Sequence, residues 1–145
     1  MNRPAEGPDP FGLARFHGAQ DPVIDEVIAE LSAGEKTSHW MWFVFPQLRG
    51  LGRSAMSERY AIASRAEALA YLADPILRAR LERCAELVIA AHPRPLRGIL
   101  GTPDDQKFHA SMTLFASVAE AGSVFERALQ TFFDGRGHPE TLARR

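Results

Sequence analysis

The fold class is decided at residues 74–95, DPILRARLERCAELVIAAHPRP. Asp74 before Pro75 is typical of a helix start, because the carboxylate can accept free amide protons and proline has none to satisfy. Apolar positions then recur at helical spacing, at Leu77, Leu81, Cys84, Val88 and Ala91. His92-Pro93 ends the pattern, since a residue before proline avoids helical geometry. The stretch therefore predicts one long amphipathic helix.

Similar punctuation marks further helices along the chain. Three more pairs place a side-chain oxygen before a proline and predict helix starts: Asp9-Pro10, Asp21-Pro22 and Thr102-Pro103. Two S-x-x-E capping boxes, at Ser64–Glu67 and Ser123–Glu126, predict helices over about 65–72 and 124–133. Gly34 is a plausible C-terminal stop for the helix that follows Asp21. No convincing alternation of apolar and polar residues predicts a strand.

These signals predict an all-α protein, a single compact multihelical domain of six to eight short helices over residues 10–135. Residues 1–9 are expected to form a flexible tail, and residues 136–145 a partly helical one. The 145 residues are 46% apolar, and a chain of this length buries roughly 70% of the surface that its unfolded form exposes. One hydrophobic core is therefore sufficient.

Charge and cysteine content exclude several classes of protein. Seventeen basic and eighteen acidic residues give a net charge of −1, so no global field recruits nucleic acid or an anionic membrane. The single cysteine, Cys84, cannot form an internal disulfide and lies on the apolar face of the long predicted helix. The sequence shows no signal peptide and no membrane-spanning run, which predicts a cytoplasmic protein.

The chemically densest stretch is SHWMWFVFPQLRGLGRS, residues 38–54. Periodicity alone allows WMWFVF to be a strand or a buried helix, and its helical neighbours favour helix. The aromatic side chains are either a central core or the wall of a ligand cavity, with Trp40 and Trp42 as candidate stacking surfaces. His39 is either a structural histidine bonded to the backbone or a side chain facing a cleft.

The loop after this segment has the composition of an anion-binding turn. Gly50 and Gly52 permit tight geometry, while Arg49 and Arg53 offer guanidinium groups and Ser54 is placed to cap the next helix. A plain turn with solvated arginines explains the same spacing, because the loop matches neither of the established phosphate-binding glycine motifs.

A second constellation is DDQKFHASMTLF, residues 104–115. Lys107 and Ser111 share one helical face, and Asp104 lies one turn before Lys107. The pattern fits a Ser-Lys nucleophile or, more simply, an exposed Asp-Lys pair beside a small packing serine. The histidines and carboxylates have no ligand spacing, so the sequence predicts no metal site, and no cofactor is predicted.

Several of these motifs together resemble one bacterial family, domain of unknown function family 1810, often mislabelled calpastatin. The resemblance rests on RFHGAQD, GEKTSHWMWFVFPQLRGLGRS, YAI, EALAYL and DDQKFHASMTLF, and it covers about residues 10–142. It implies a single multihelical domain with no established reaction. The family motifs fall on Gln20, Lys36, His39, Trp40, Trp42, Pro46, Gln47, Gly50, Gly52, Tyr60, Lys107, Ser111, Met112 and Phe115. A calpain inhibitor is expected to be a long disordered polar chain, which this apolar-rich sequence is not.

Two hypotheses for the function follow. The first is a pocket for a small anionic molecule, nucleotide-like or ADP-ribose-like, between the HWMWFVFPQ segment and the DDQKFHASMTLF helix. Its ligand-binding residues would be Trp40, Trp42, Gln47, Arg53, Lys107 and Ser111. If the protein is an enzyme, hydrolysis with His39 as acid or base is expected, because histidine exchanges protons most readily near neutrality. The second hypothesis is a non-catalytic domain whose aromatic segment docks another protein or a second copy of the chain.

Overall fold

Ten α-helices make up the regular secondary structure of residues 7–145, the part of the chain that the computed structural model describes. They are α1 Ala14–Gln20, α2 Ile24–Ser32, α3 Met41–Val44, α4 Ala55–Arg59, α5 Arg65–Ala73, α6 Pro75–Ala90, α7 Leu96–Leu100, α8 Asp104–Ala116, α9 Val124–Phe133 and α10 Pro139–Arg144. The predicted all-α class is confirmed. Four helices are only four to six residues long, too short to show a helical period, which explains why the sequence predicted six to eight.

The long helix α6 is the centre of the fold. Its predicted stripe is buried, with Leu77, Leu81, Cys84 and Val88 each at most 1% exposed, and α2, α5 and α9 pack around it. The cap is also confirmed, since Oδ1 of Asp74 accepts the amide protons of Ile76 and Leu77 at 3.0 and 3.1 Å. Burial raises the pKa of the Cys84 thiol to about 12, which fits a packing role.

The other proline-marked starts are confirmed less simply. Asp9 accepts the amides of Leu13 and Ala14 at 2.8 and 2.9 Å, so it caps a helix that begins four residues beyond Pro10. Helix α8 begins directly after Pro103 without a side-chain cap from Thr102. The prediction that Asp21 caps α2 is wrong, because α2 begins at Ile24 with Val23 at its N-cap position and has no side-chain cap. The Asp21 carboxylate lies 2.9 Å from Nη1 of Arg80 in α6.

Both capping boxes form with one change in the returning hydrogen bond. Ser64 and Ser123 accept the amide protons of Glu67 and Glu126, as predicted. The glutamates return to the amide one residue earlier than the cap, which is Ala63 for Glu67 and Gly122 for Glu126. Helices α5 and α9 consequently match their predicted bounds to within one residue.

The aromatic segment forms a single turn, α3, as predicted for WMWFVF. It packs against α1 and α6, and the buried amide of Gln20 donates to the carbonyl of Phe43 at 2.6 Å. Phe45 meets Phe108 of α8 edge to face, with ring centroids 5.0 Å apart. Residues 47–49 then form an isolated parallel bridge beside Ile62. This connection carries the chain from α3 across the N-terminal half of α8.

The ends of the chain differ from each other. Residues 1–6 of the predicted N-terminal tail lie outside the described residues. At the other end, α10 packs against α8 with Thr141 fully buried. Within residues 7–145, no helix is both long and apolar enough to cross a membrane.

Candidate functional site

A small cleft lies where the loop after α3 passes the first turn of α8 and the start of α10. Its volume is about 190 Å³, and its lining includes Gln47, Gly52, Lys107, His138 and Glu140. Behind it, Gln47 and Lys107 also line a second pocket with Trp42, Ser57 and Tyr60, which has room for only about 10 Å³. The outer cleft is open to solvent, and the inner pocket is the more enclosed of the two.

Gly52 allows the loop to approach the floor of the cleft. A Cβ atom at this position would lie 2.5 Å from Oγ of Ser57 and 3.1 Å from Nε2 of Gln47. Ser54, at the end of the loop, caps α4 by accepting the amide proton of Ser57 at 3.1 Å, as the sequence predicted. The loop is therefore held closely against Gln47 by a glycine and a helix cap.

Lys107 separates the outer cleft from the inner pocket. Its ammonium lies 5.4 Å from the centroid of the Trp42 ring, within the range of a cation–π contact. Its nearest carboxylate oxygen, Oδ1 of Asp104, is 3.8 Å away, and its side chain is 23% exposed. Because this distance is too long for a direct hydrogen bond, the ammonium keeps donors available to a ligand.

Asp104, at the start of the DDQKFHASMTLF helix, also contacts Lys36, which precedes the aromatic segment. Nζ of Lys36 lies 2.9 Å from Oδ2 of Asp104, and the Lys36 side chain is only 7% exposed. The same ammonium donates to the carbonyl of Ser38 and lies 5.0 Å from the Trp40 ring. Two ammonium groups thus share the Asp104 carboxylate, and Glu140 adds a second negative charge at the cleft lining.

Glu30 holds the Trp40 side chain in place by a hydrogen bond. Its carboxylate accepts hydrogen bonds from the amides of Thr37 and Ser38 and from the indole Nε1 of Trp40, at 2.8, 3.0 and 3.0 Å. Burial disfavours the charge on Glu30, but these bonds and the Ser38 hydroxyl outweigh it and lower the pKa to about 2. Trp40, 2% exposed, is therefore a structural residue bonded to a partly buried carboxylate.

The structure brings three of the predicted site residues together and separates the others. Trp42, Gln47 and Lys107 line the two adjoining pockets. Trp40 lies in the core, and Ser111 is fully buried with its hydroxyl enclosed and without a hydrogen-bond partner in residues 7–145. His39 and Arg53 are both exposed, and neither lines the cleft. Lys107 and Ser111 face different surroundings, so they do not form the nucleophile pair that their spacing allowed.

Comparison with known proteins places the chain in a family. The family model described as "Protein of unknown function (DUF1810)" matches residues 10–144. This chain belongs to the DUF1810 family. The crystal structure of the conserved hypothetical protein Rv1873 from Mycobacterium tuberculosis is similar to it, with 48% sequence identity and a TM-score of 0.91. The match covers 94% of this chain and 97% of that one. No curated protein matches the chain.

The DUF1810 cleft also contains residues that the sequence did not indicate. His138 and Glu140 come from the start of α10, about thirty residues beyond Lys107 along the chain. His138 precedes Pro139, the same punctuation that marks the other helix starts, and it does cap α10. That signal identifies a helix start but not its neighbours in space, so the histidine was not assigned to the site.

Other cavities in this DUF1810 chain lie away from the predicted residues. A larger one, of about 420 Å³, lies between α8, α9 and α10 and is bordered by Arg127, Gln130 and Leu142. None of the predicted site residues lines it. Within residues 7–145, no three His, Cys, Asp or Glu side chains lie close enough together to hold a metal ion.

Proposed function

We propose that this protein binds a small anionic molecule in the cleft between the loop after α3 and the start of α8. The observation that carries the proposal is the position of Lys107, which borders the outer cleft and covers the face of Trp42. A cation and the Gln47 amide thereby meet at the outer cleft, while the Trp42 ring lines only the adjoining inner pocket. The cation and the amide together suit an anionic group.

The local charge supports an anionic ligand. Asp104 is held 2.9 Å from Lys36 and 3.8 Å from Lys107, so its charge is directed mainly at the more buried lysine. Asp104 then neutralises Lys107 incompletely, and the ammonium keeps donors available at the open cleft. An incoming phosphate or carboxylate would complete its coordination.

Nucleotides and ADP-ribose remain within the proposed class, with a limit on how they bind. Pockets that enclose a drug-sized ligand measure roughly 300–1,000 Å³, whereas the outer cleft measures about 190 Å³. Only the phosphate end of such a molecule would enter the cleft. Its ring would reach Trp42 only if Lys107 moved from the indole face.

The experiment is a thermal-shift screen with tryptophan fluorescence against nucleotides, ADP-ribose and sugar phosphates. A ligand at 100 times its dissociation constant adds about 2.7 kcal/mol to the free energy of unfolding. We expect stabilisation that Lys107→Met abolishes, while Arg97→Ala, which removes an exposed charge on α7, keeps it. Stabilisation equal in all three proteins, or none in the wild type, would contradict the proposal.

The alternative function, docking of a partner through the aromatic segment, has no specific observation in its favour. Trp40, Phe43 and Phe45 are all less than 10% exposed, and Trp42 is partly covered by Lys107. The proposal is also limited to binding. Hydrolysis with His39 as acid or base stays a prediction from sequence, because His39 lies outside the cleft lining.

A further inference from the structure

The ring of His138 is held in one tautomer by the helix that it caps. Nδ1 accepts the backbone amide proton of Thr141 at 3.3 Å and lies 3.0 Å from the Thr141 hydroxyl oxygen. Because an amide nitrogen can only donate, Nδ1 of the neutral ring carries the lone pair. The proton is therefore on Nε2.

Nε2 of His138 is accessible and unused. Within residues 7–145 it has no hydrogen-bond partner, and it is absent from the set of polar atoms that are both buried and unpaired. His138 borders the cleft together with Lys107 and Glu140. A neutral N–H donor is therefore available beside the ammonium group of Lys107.

The backbone of His138 is hydrogen-bonded to α8, the helix that carries Lys107. The amide of His138 donates to Oγ1 of Thr113 at 2.8 Å, and that hydroxyl donates to the carbonyl of His109 at 2.8 Å. Thr141, which holds Nδ1, is fully buried. His138 and Lys107 are consequently fixed relative to each other through α8, as expected for two groups that recognise one ligand.

The remaining polar groups of the cleft select among anions. Glu140 and Gln106 also line it, and a carboxylate can only accept hydrogen bonds. Glu140 therefore disfavours a bare anion and favours a ligand that presents hydroxyl donors beside its charge. The volume of about 190 Å³ is below the roughly 300–1,000 Å³ of pockets that enclose a drug-sized ligand, which suits a small molecule and not a nucleotide.

From these groups we infer that the ligand is a small phosphorylated polyol, such as a pentose phosphate. Its phosphate binds Lys107 and Nε2–H of His138, and a hydroxyl donates to Glu140. The inference rests on the proposed function and narrows it to one class of molecule. Burial lowers the pKa of His138, although the charge of Glu140 opposes this, so the ring donates as a neutral group at neutral pH.

Two substitutions test the roles of the two ring nitrogens of His138 one at a time. In His138→Asn, the side-chain oxygen can replace Nδ1 as the helix cap, but nothing replaces Nε2–H in the cleft. In His138→Gln, the longer amide can replace Nε2–H, while the cap is lost. Binding of ribose 5-phosphate is measured by calorimetry, and folding by thermal unfolding.

We expect His138→Asn to bind ribose 5-phosphate roughly tenfold to a hundredfold more weakly, as for a lost hydrogen bond to a charged group, with an almost unchanged melting temperature. His138→Gln is expected to retain binding but melt at a lower temperature. Unchanged affinity in His138→Asn, combined with its loss in Lys107→Met, would overturn the role of His138 and leave the proposed function intact. If the wild type binds none of the phosphates, the proposed function itself fails.

The ligand class is tested with ribose 5-phosphate, inorganic phosphate, ribose and AMP on the wild type and on Glu140→Gln. The wild type is expected to prefer ribose 5-phosphate to inorganic phosphate. Glu140→Gln is expected to bind inorganic phosphate more tightly and to lose much of that preference. Tighter binding of AMP than of ribose 5-phosphate, or an unchanged preference in Glu140→Gln, would overturn the assignment to a polyol phosphate.

Discussion

Trp40 and Trp42 are two residues apart and have opposite roles. Trp40 is 2% exposed and donates to the carboxylate of Glu30, whereas Trp42 is partly exposed and contacts Lys107. The sequence allowed each of them to be a core residue or a stacking surface. It could not separate them, because the difference depends on Glu30, which lies ten residues upstream and has no motif of its own.

Replacement of Glu30 by glutamine should reveal how much this partly buried carboxylate stabilises the fold. The folded-state pKa of Glu30 is lowered from 4.5 to about 2, so its contribution is complete above pH 4.5 and is lost as the pH falls through about 2. At pH 7 we expect Glu30→Gln to lower the free energy of unfolding by about 2 kcal/mol, allowing for solvent screening. Urea unfolding at pH 7 and pH 3 measures this difference.

Glu35→Gln serves as the control, because Glu35 is an exposed neighbour at the end of the same helix. Its free energy of unfolding should match that of the wild type at both pH values. A difference between Glu30→Gln and wild type that grows as the pH falls would contradict the assignment, because the shift requires it to shrink.

At the scale of helices, side chains at helix starts have more than one role. Asp74 caps α6 with Oδ1, while its Oδ2 accepts the proton of His17 Nε2 at 2.7 Å. Asp21 forms an ion pair with Arg80, and Glu67 forms one with Arg15. The sequence predicted the helix starts well because cap chemistry is local. It did not predict these ion pairs, since each joins helices that are far apart in the chain.

Two substitutions at Asp74 should separate the contribution of its hydrogen bonds from that of its charge. Asp74→Ala removes the cap of α6 and leaves His17, 2% exposed, without its partner, so we expect a loss of about 2–4 kcal/mol in the free energy of unfolding. Asp74→Asn keeps an oxygen for the cap and an amide for the histidine, and should lose about 1 kcal/mol. Chemical denaturation measures both. Equal losses in the two variants would show that the cap is not the main contribution.

At the scale of the whole molecule, one continuous core joins the helices to the aromatic segment. Phe45 meets Phe108 of α8, and Tyr71 of α5 meets both Phe16 of α1 and Phe115 of α8. The sequence predicted this core largely correctly, because helical periodicity reports burial. It placed Gln47 and Lys107 in one predicted pocket but did not indicate His138, which reaches the cleft from a distant part of the chain.

The shared core predicts that the protein unfolds in a single step. Trp40 lies in the same cluster as the buried face of α6, and chains of fewer than about 150 residues usually unfold without populated intermediates. Tryptophan fluorescence and far-ultraviolet circular dichroism should therefore give coincident urea transitions. A fluorescence transition at lower urea concentration would show that the aromatic segment detaches before the helices unfold.

The contrast between the two indoles gives the protein a built-in optical probe. A dissolved iodide ion would be attracted to Lys107 and could collide with Trp42, but it could not reach Trp40 beneath its carboxylate. Collisional quenching should thus remove the red-shifted part of the emission and spare the blue-shifted part. A ligand in the cleft would protect the first and leave the second unchanged, so occupancy can be followed without a label.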